Sequence, residues 1–345
     1  MFYQAVLGVL RIYRGVRYIQ FKLYGFKGGV ENIRSLLTVS NRNQACQGGG
    51  IVPHKNSTKL SHKERVNTII EYIDTHIENP AYRLDLDTLA SVACLSHYHI
   101  SRIFKSHTGE GIHQYVKRLR LENAAKQLLY SKKSIQHIAE LSSYNNFPAF
   151  TKAFKQHFGC PPSDFRGRKK IIDFYGVRPV CTEQSVKGRN IIDMQTKSLS
   201  NQKVIFMLKI GPYEEAASRA WAGLMQYAYA QQLISGETKN IGITYDMPEF
   251  THEEKIRYCA CITIDRSHKT QGDIGTKLIQ GGRFATFIHQ GPYTELSHTY
   301  DYIYNDWCSK NNVTLSNYPS FSIYLTDPVK TAPENLLTEI YVPIE

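Results

Sequence analysis

No apolar run in this chain approaches the roughly 18–20 residues needed to cross a bilayer, so nothing in it reads as a membrane span. The seven cysteines are odd in number and scattered, which argues against a disulfide framework. Cys259-Ala260-Cys261 is the closest pairing, and nothing near it completes a zinc quartet. Reduced thiols in a cytoplasm are the expectation. Paired catalytic acids, a nucleophile-base triad, a metal-ligand set and a phosphate loop are all missing. No catalytic residue, metal or cofactor is therefore expected. Acid is scarce at the front: residues 1–60 carry nine Lys/Arg against Glu31 alone. The imbalance continues at seventeen against ten over 61–170, then reverses to sixteen against nineteen over 171–345. A basic front and middle joined to a mildly acidic end suit a nucleic-acid reader fused to a module with another task.

Residues 1–60 show no clear period and break at Gln47-Gly48-Gly49-Gly50. They read as a disordered basic extension. A membrane-surface arm built on Val6 to Arg17, or a natural start nearer Val52 or Leu60, stand as alternatives. A cleaved signal is disfavoured, because the basic residues follow the apolar run. Ser61-His62-Lys63-Glu64 is a capping-box pattern, predicting a helix that starts there and carries Val66, Ile69, Ile70, Ile73 and Ile77 on one stripe.

Between Leu86 and Phe165 one pattern occurs twice. Leu86-Asp87-Thr88-Leu89-Ala90 with Ile103-Phe104-Lys105-Ser106-His107-Thr108-Gly109 parallels Ile135-Gln136-His137-Ile138-Ala139 with Ala153-Phe154-Lys155-Gln156-His157-Phe158-Gly159. The front halves are offset by 49 positions and the back halves by 50 (86 to 135, 104 to 154), implying one extra residue in the second turn. Each copy predicts two short helices around a shared core, the arrangement of a helix-turn-helix. Residues 112–130 would form the helix that holds the copies together.

On these motifs, and on the ending Phe158-Gly159-Cys160-Pro161-Pro162-Ser163-Asp164-Phe165-Arg166, residues 63–166 resemble the DNA-binding domain of AraC/XylS-family transcription regulators. The resemblance implies double-stranded promoter DNA and RNA polymerase as partners, with activation the commoner outcome. It also implies that Tyr98, Ser101 and Arg102 read base edges. An arginine takes both guanine acceptors, worth about 1–3 kcal/mol of discrimination. Lys105 lies on the same face. In the second copy the exposed positions are Phe147, Ala149 and Lys152, beside Pro148; two apolar groups suit thymine methyls and one lysine suits phosphate or guanine. The first reader is thus expected to discriminate and the second chiefly to position. Lys117, Arg118, Lys132, Lys133, Lys155, Arg166 and Arg168 are phosphate-contact candidates. Where the family has Gly-Phe in the second turn this chain has Ser143-Tyr144, placing Ser where a positive φ is often needed.

The third segment, 191–345, contains a second pair of matching stretches. Val204 to Glu215 and Arg283 to Glu295 each run through a strand-like stretch into Gly-Pro-Tyr, at 211 and 291. Each predicts a strand-helix-strand-strand half, and two halves make one curved sheet with a cleft beneath two helices. With Trp307 and the ending Leu337 to Ile344, the segment resembles GyrI-like effector-binding domains, implying a small-molecule effector in that cleft. Tyr213, Trp221, Tyr245, Tyr258, Tyr293, Tyr324 and Glu339 are the candidate ligand residues, suited to an aromatic or cationic compound. Ser322 stands where the family often carries a Glu, which weakens the case for a strong cation.

The expected fold class is multidomain α and α+β. An extension over 1–60 precedes a double helix-turn-helix DNA-binding domain over 61–168. A linker over 169–190 then leads to a duplicated α+β effector domain over 191–345. Two other readings stay open: Glu339 acting as a base on water toward a small electrophile, and a DNA-binding protein whose last domain is a protein-interaction scaffold.

Overall fold

The computed structural model describes residues 55–144, 146–167, 190–248, 250–265, 268–311, 313–316 and 318–345. Among the described residues seven helices precede the sheet: α1 (Lys55–His76), α2 (Leu86–Ala93), α3 (His97–Thr108), α4 (Ile112–Tyr130), α5 (Ile135–Leu141), α6 (Phe147–Phe158) and α7 (Pro162–Gly167). The starts of α2 and α5 differ by 49 positions and those of α3 and α6 by 50, so the extra residue does lie in the second turn. Each turn holds a non-glycine residue in the left-handed region, Cys94 at φ 51° and Ser143 at φ 60°. These equivalent positions tolerate the strain of a positive φ so that the chain reverses sharply. Arg65 reinforces the first turn by donating to the carbonyls of Ala93 and Cys94.

The helix expected to begin at Ser61 begins at Lys55 instead, so Ser61 lies within α1 and does not cap it. Residues 55–60 accordingly belong to a helix and not to a disordered extension. The calls on 1–54 and on the linker, save Asn190 at its end, lie outside the described residues.

The strands are β1 (Ile191–Leu199), β2 (Gln202–Ile210), β3 (Asn240–Thr244), β4 (Arg257–Thr263), β5 (Ile274–Ile279), β6 (Gly282–Gln290), β7 (Phe321–Tyr324) and β8 (Leu337–Pro343). They form one antiparallel sheet in the order β1-β6-β8-β7-β3-β4-β2-β5. Helix α8 (Tyr213–Ala230) follows β2. Helix α9 (Leu296–Asp301) follows β6 and continues through a π turn at Tyr302–Trp307. Strands β1 and β5 are not marked by the sequence pattern. Both are edge strands with many exposed positions, so neither shows the dense apolar pattern of a central strand.

Alternation along the strands gives the sheet two apolar faces. Ile205, Met207, Ala260 and Ile262 face α8, whose Ala216, Ala217, Ala220, Leu224 and Ala228 are 0–1% exposed and let the helix approach closely. Phe206, Leu208, Ile241, Ile243, Cys259 and Cys261 face the other way, into one core with Val66, Ile69, Ile70 and Ile73 of α1. Burial of this stripe, at roughly 1.5–3 kcal/mol per large aliphatic side chain, seats the first helical repeat against the sheet. Charged pairs rim the seat: Lys277 to Glu71 at 2.9 Å, Lys63 to Asp273 at 2.8 Å and Arg257 to Asp74 at 2.5 Å.

Candidate nucleic-acid interface and small-molecule cavity

Helix α3 is built to stay half exposed. Ser96 caps it, accepting from the His99 amide, and Gly109 at φ 77° ends it. Ile100, Ile103 and Phe104 are buried, leaving Tyr98, Ser101, Arg102 and Lys105 exposed along one face. Tyr98 is 78% exposed, a large aromatic with no apolar surroundings of its own. The Arg102 guanidinium lies 5.9 Å from the Tyr98 ring centroid, within cation–π range. That contact holds the guanidinium close to the first turn of the helix.

Helix α6 repeats the design with different chemistry. Asn146 caps the Ala149 amide at 2.8 Å, Pro148 fits the first turn, and Phe150, Phe154 and Phe158 are buried. Phe147, Ala149 and Lys152 are exposed, Phe147 by 44%. All seven candidate DNA-contact residues therefore sit on the free faces of the two second helices.

Two phosphate candidates do not. Arg118 is buried within α4, donating to Glu110 at 2.6 and 2.9 Å and to Glu122 at 3.1 Å. It braces the connection between the repeats and is unavailable to a phosphate. Arg166 donates to the carbonyls of Lys133, at 2.6 Å, and Leu128, tying α7 to the end of α4. Lys117, Lys132 and Lys155 are exposed and Lys133 is half-buried, while Arg168 lies outside the described residues.

On the sheet face that carries α8 and α9, a cavity of about 330 Å³ is lined by Tyr213, Tyr258, Tyr293, Tyr300, Tyr304 and Tyr324, with Ser320 and Thr244 between them. A neighbouring hollow of about 490 Å³ shares Tyr293 and Tyr324 with it and reaches Trp221. The rings meet edge to face: Tyr213 on Tyr258 at 5.4 Å, Tyr293 on Tyr324 at 5.1 Å and Trp221 on Tyr324 at 5.6 Å. Trp221 Nε1 donates to the Tyr258 hydroxyl at 2.9 Å, which pairs with the Tyr324 hydroxyl at 2.9 Å. Burial pushes the phenols of Tyr213, Tyr258, Tyr300 and Tyr324 up, so they stay neutral. Asp246 borders the cavity, yet both its oxygens accept from Arg257. The walls are thus aromatic, hydroxylated and almost free of uncommitted charge, with Glu214 on the lining as the exception.

Five of the seven candidate ligand residues, Tyr213, Trp221, Tyr258, Tyr293 and Tyr324, come together here; Tyr245 and Glu339 do not. Glu339 pairs with Lys197 at 2.5 Å and accepts from the Tyr341 hydroxyl at 2.7 Å. Tyr341 stacks on Phe321 in the core of the opposite face, and alternation puts Glu339 on that side too. Tyr245 faces the helical repeats, its ring 4.9 Å from Arg257 and 4.8 Å from Lys277. Tyr300 and Tyr304 were not among the candidates. Their spacing of four on one helix, directed at a sheet, was the available signal. Ser322, at the position where a carboxylate was expected from the resemblance, bonds the Tyr300 hydroxyl at 2.9 Å. Among the described residues no group of His, Cys, Asp and Glu could hold a metal ion, and no helix is long and apolar enough to cross a membrane.

Gly242 makes the cavity possible. A Cβ there would lie 2.4 Å from the Tyr258 hydroxyl and 2.8 Å from that of Tyr324. Gly242→Ala is expected to push both phenols into the cavity and to cost any small molecule bound there about tenfold or more in affinity, ~1.4 kcal/mol. Ligand-free DNA affinity should hold, and equal ligand affinity in the two proteins would remove Gly242 from the account.

Comparison with known proteins agrees with both parts. Residues 89–168 match the family described as a helix-turn-helix domain, and residues 193–345 match the GyrI-like small molecule binding domain. The chain is 32% identical to the regulatory protein SoxS of Salmonella typhimurium over 109 residues, 32% of this chain and 99% of that one. It is 35% identical over 108 residues to the probable transcription factor PqrA of Proteus vulgaris, 31% of this chain and 88% of the relative. The transcriptional regulator Rob of Salmonella typhimurium aligns over 288 residues at 22% identity, spanning 81% of this chain and 97% of Rob.

Proposed function

We propose a division of labour for this chain, which belongs to the AraC-type family of transcription regulators and carries a GyrI-like effector-binding domain. It is a DNA-binding transcription regulator. In the proposed scheme α3 reads base edges through Tyr98, Ser101, Arg102 and Lys105. Helix α6 holds the second groove through Phe147, Ala149 and Lys152. The observation that carries this is the contrast between two capped helices, one presenting four polar or aromatic groups and the other two apolar groups and a lysine. In this reading α1 carries the first domain, expected over 61–168, forward to Lys55, and the second domain, 191–345, is an internal duplicate. Its matching turns support that: the Gly211 amide donates to Ile256 and the Gly291 amide to Leu336, at 3.0 and 2.9 Å.

The tyrosine cavity is proposed to take a planar aromatic effector, neutral or singly charged, by edge-to-face contact and phenolic hydrogen bonds. Glu339 and Tyr245 are left out of that ligand set. The chain then acts in the cytoplasm as an activator that contacts RNA polymerase, by binding and without catalysis.

Lys152→Ala is expected to weaken specific and random duplexes alike and to reduce the slope of log K against log salt by about 1. Titrations at several salt concentrations check this, and a loss confined to one sequence would make Lys152 a base reader instead. The cavity reading is tested by titrating the chain with a panel of neutral and singly charged planar aromatics while following Trp221 fluorescence. Quenching at micromolar levels, shifted to about tenfold higher concentration or more by Gly242→Ala, is the expected result. No quenching by any member would sink the assignment.

A further inference from the structure

The segment joining β3 to β4 is one short piece of chain that touches both the cavity and the second DNA reader. Thr244, Asp246, Met247 and Pro248 line the tyrosine cavity. Two residues past Pro248, Phe250 is 2% exposed and sits in the core of the second helical repeat, its ring 6.3 Å from Phe158 and 5.9 Å from Phe165. Met247 packs against that same core. A tight turn links the two contacts, because the Met247 carbonyl accepts the amides of Phe250 and Thr251 at 2.9 and 3.0 Å. One residue, Met247, thus belongs to the wall of the cavity and to the packing of the helices.

The far end of the segment is tied on both sides as well. Lys255 reaches Glu110 at 3.2 Å, the same carboxylate that holds Arg118 on α4. The Ile256 carbonyl accepts from the Gly211 amide, in the turn that sets Tyr213 into the cavity. The segment is therefore anchored at both ends. A shift of Met247 away from an incoming ring carries Phe250 with it through the turn. Phe250 in turn presses on Phe158 and Phe165, the ends of α6 and the middle of α7.

We infer that Met247 and Phe250, on the segment between β3 and β4, transmit occupancy of the tyrosine cavity to the second reader, by moving Phe250 within its core and so resetting α6 relative to α3. This rests on the reading of the cavity as the effector site. Packed cores switch between discrete arrangements and resist continuous deformation, so a small displacement of one buried ring suffices to favour one reader geometry. The effector acts by binding one position of the segment better than the other, and the same free energy makes DNA alter effector affinity. Because α6 mainly positions the protein, the effector would tune how well a second groove is engaged and leave base discrimination by α3 unchanged.

The test is hydrogen exchange on the full chain, wild type against Phe250→Ala, each with and without the neutral planar dye Nile red. Without dye, the amides of α6 and α7 should exchange about tenfold faster in Phe250→Ala while those of α3 stay unchanged. With dye, wild-type α6 should change its exchange by about threefold or more. Phe250→Ala should bind dye with similar affinity and show no such change, and Phe250→Leu should restore it. An α6 response to dye that survives in Phe250→Ala overturns the inference, as does equal dye-free exchange in the two proteins. If Nile red leaves wild-type Trp221 fluorescence untouched, that counts against the cavity reading, and the dye-free comparison still decides the link.

Discussion

Arg257→Ala is expected to lower stability by about 3–5 kcal/mol, the cost of leaving buried carboxylates without their cation. Arg257 donates to both oxygens of Asp246 through Nε and Nη2 and to Asp74 through Nη1. The side chains of Arg257 and Asp246 are 5% and 2% exposed, so both charges are held largely away from water. The guanidinium also lies 5.8 Å from the ring of Tyr115 and donates to its hydroxyl at 3.2 Å. In Arg257→Ala only the backbone amide at 257 would still reach Asp246. Because Asp74 lies on α1, the loss falls on the seat between helices and sheet. Urea unfolding followed by circular dichroism measures the shift in midpoint. The double variant Arg257→Met, Asp246→Asn should recover part of the loss, since it removes a buried charge along with its partner. A loss below about 1 kcal/mol in the single variant would mean that the seat is held by the apolar stripe alone.

Arg102→Ala should lower the preference for the selected site over random DNA by about 1–3 kcal/mol, roughly five- to 150-fold. Random-duplex affinity should fall far less, because phosphate contacts are spread over other lysines. Arg102→Lys is not expected to restore the preference. Lysine lacks the planar fork that takes two acceptors and stacks less well on Tyr98. Competition binding with both duplexes reads the difference. Equal losses on the two would make Arg102 a phosphate contact and move base reading to Ser101 or Lys105.

The helical repeat was legible in the sequence because its signals are local. Ser96 and Asn146 cap, Gly109 and Gly159 end helices, and the Phe150-Phe154-Phe158 stripe has an unmistakable period. Register across the sheet was not legible. Whether Glu339 and Tyr245 face the cavity depends on which side of each strand the helices cover, and a shift of one residue reverses the answer. The start of α1 was misjudged because a Ser-x-x-Glu pattern caps a helix only where the preceding residues leave it, and here they stay helical. Arg118 looked like a surface charge on a basic helix. Its burial follows from Glu110 and Glu122, which the fold alone brings around it. The Phe250 contact is more remote still, joining a loop to a helix core more than eighty positions away (165 to 250).

Selection of preferred duplexes from a random library, with the full wild-type chain, tests most directly the claim that the two readers are unequal. Two half-sites are expected, centred about one helical turn apart, on the order of 10 base pairs. One half should be sharply defined, contain a guanine, and disappear from the selection with Arg102→Ala. The other should be loosely defined, with thymines facing Phe147 and Ala149. Two half-sites of equal definition, both surviving Arg102→Ala, would contradict the account.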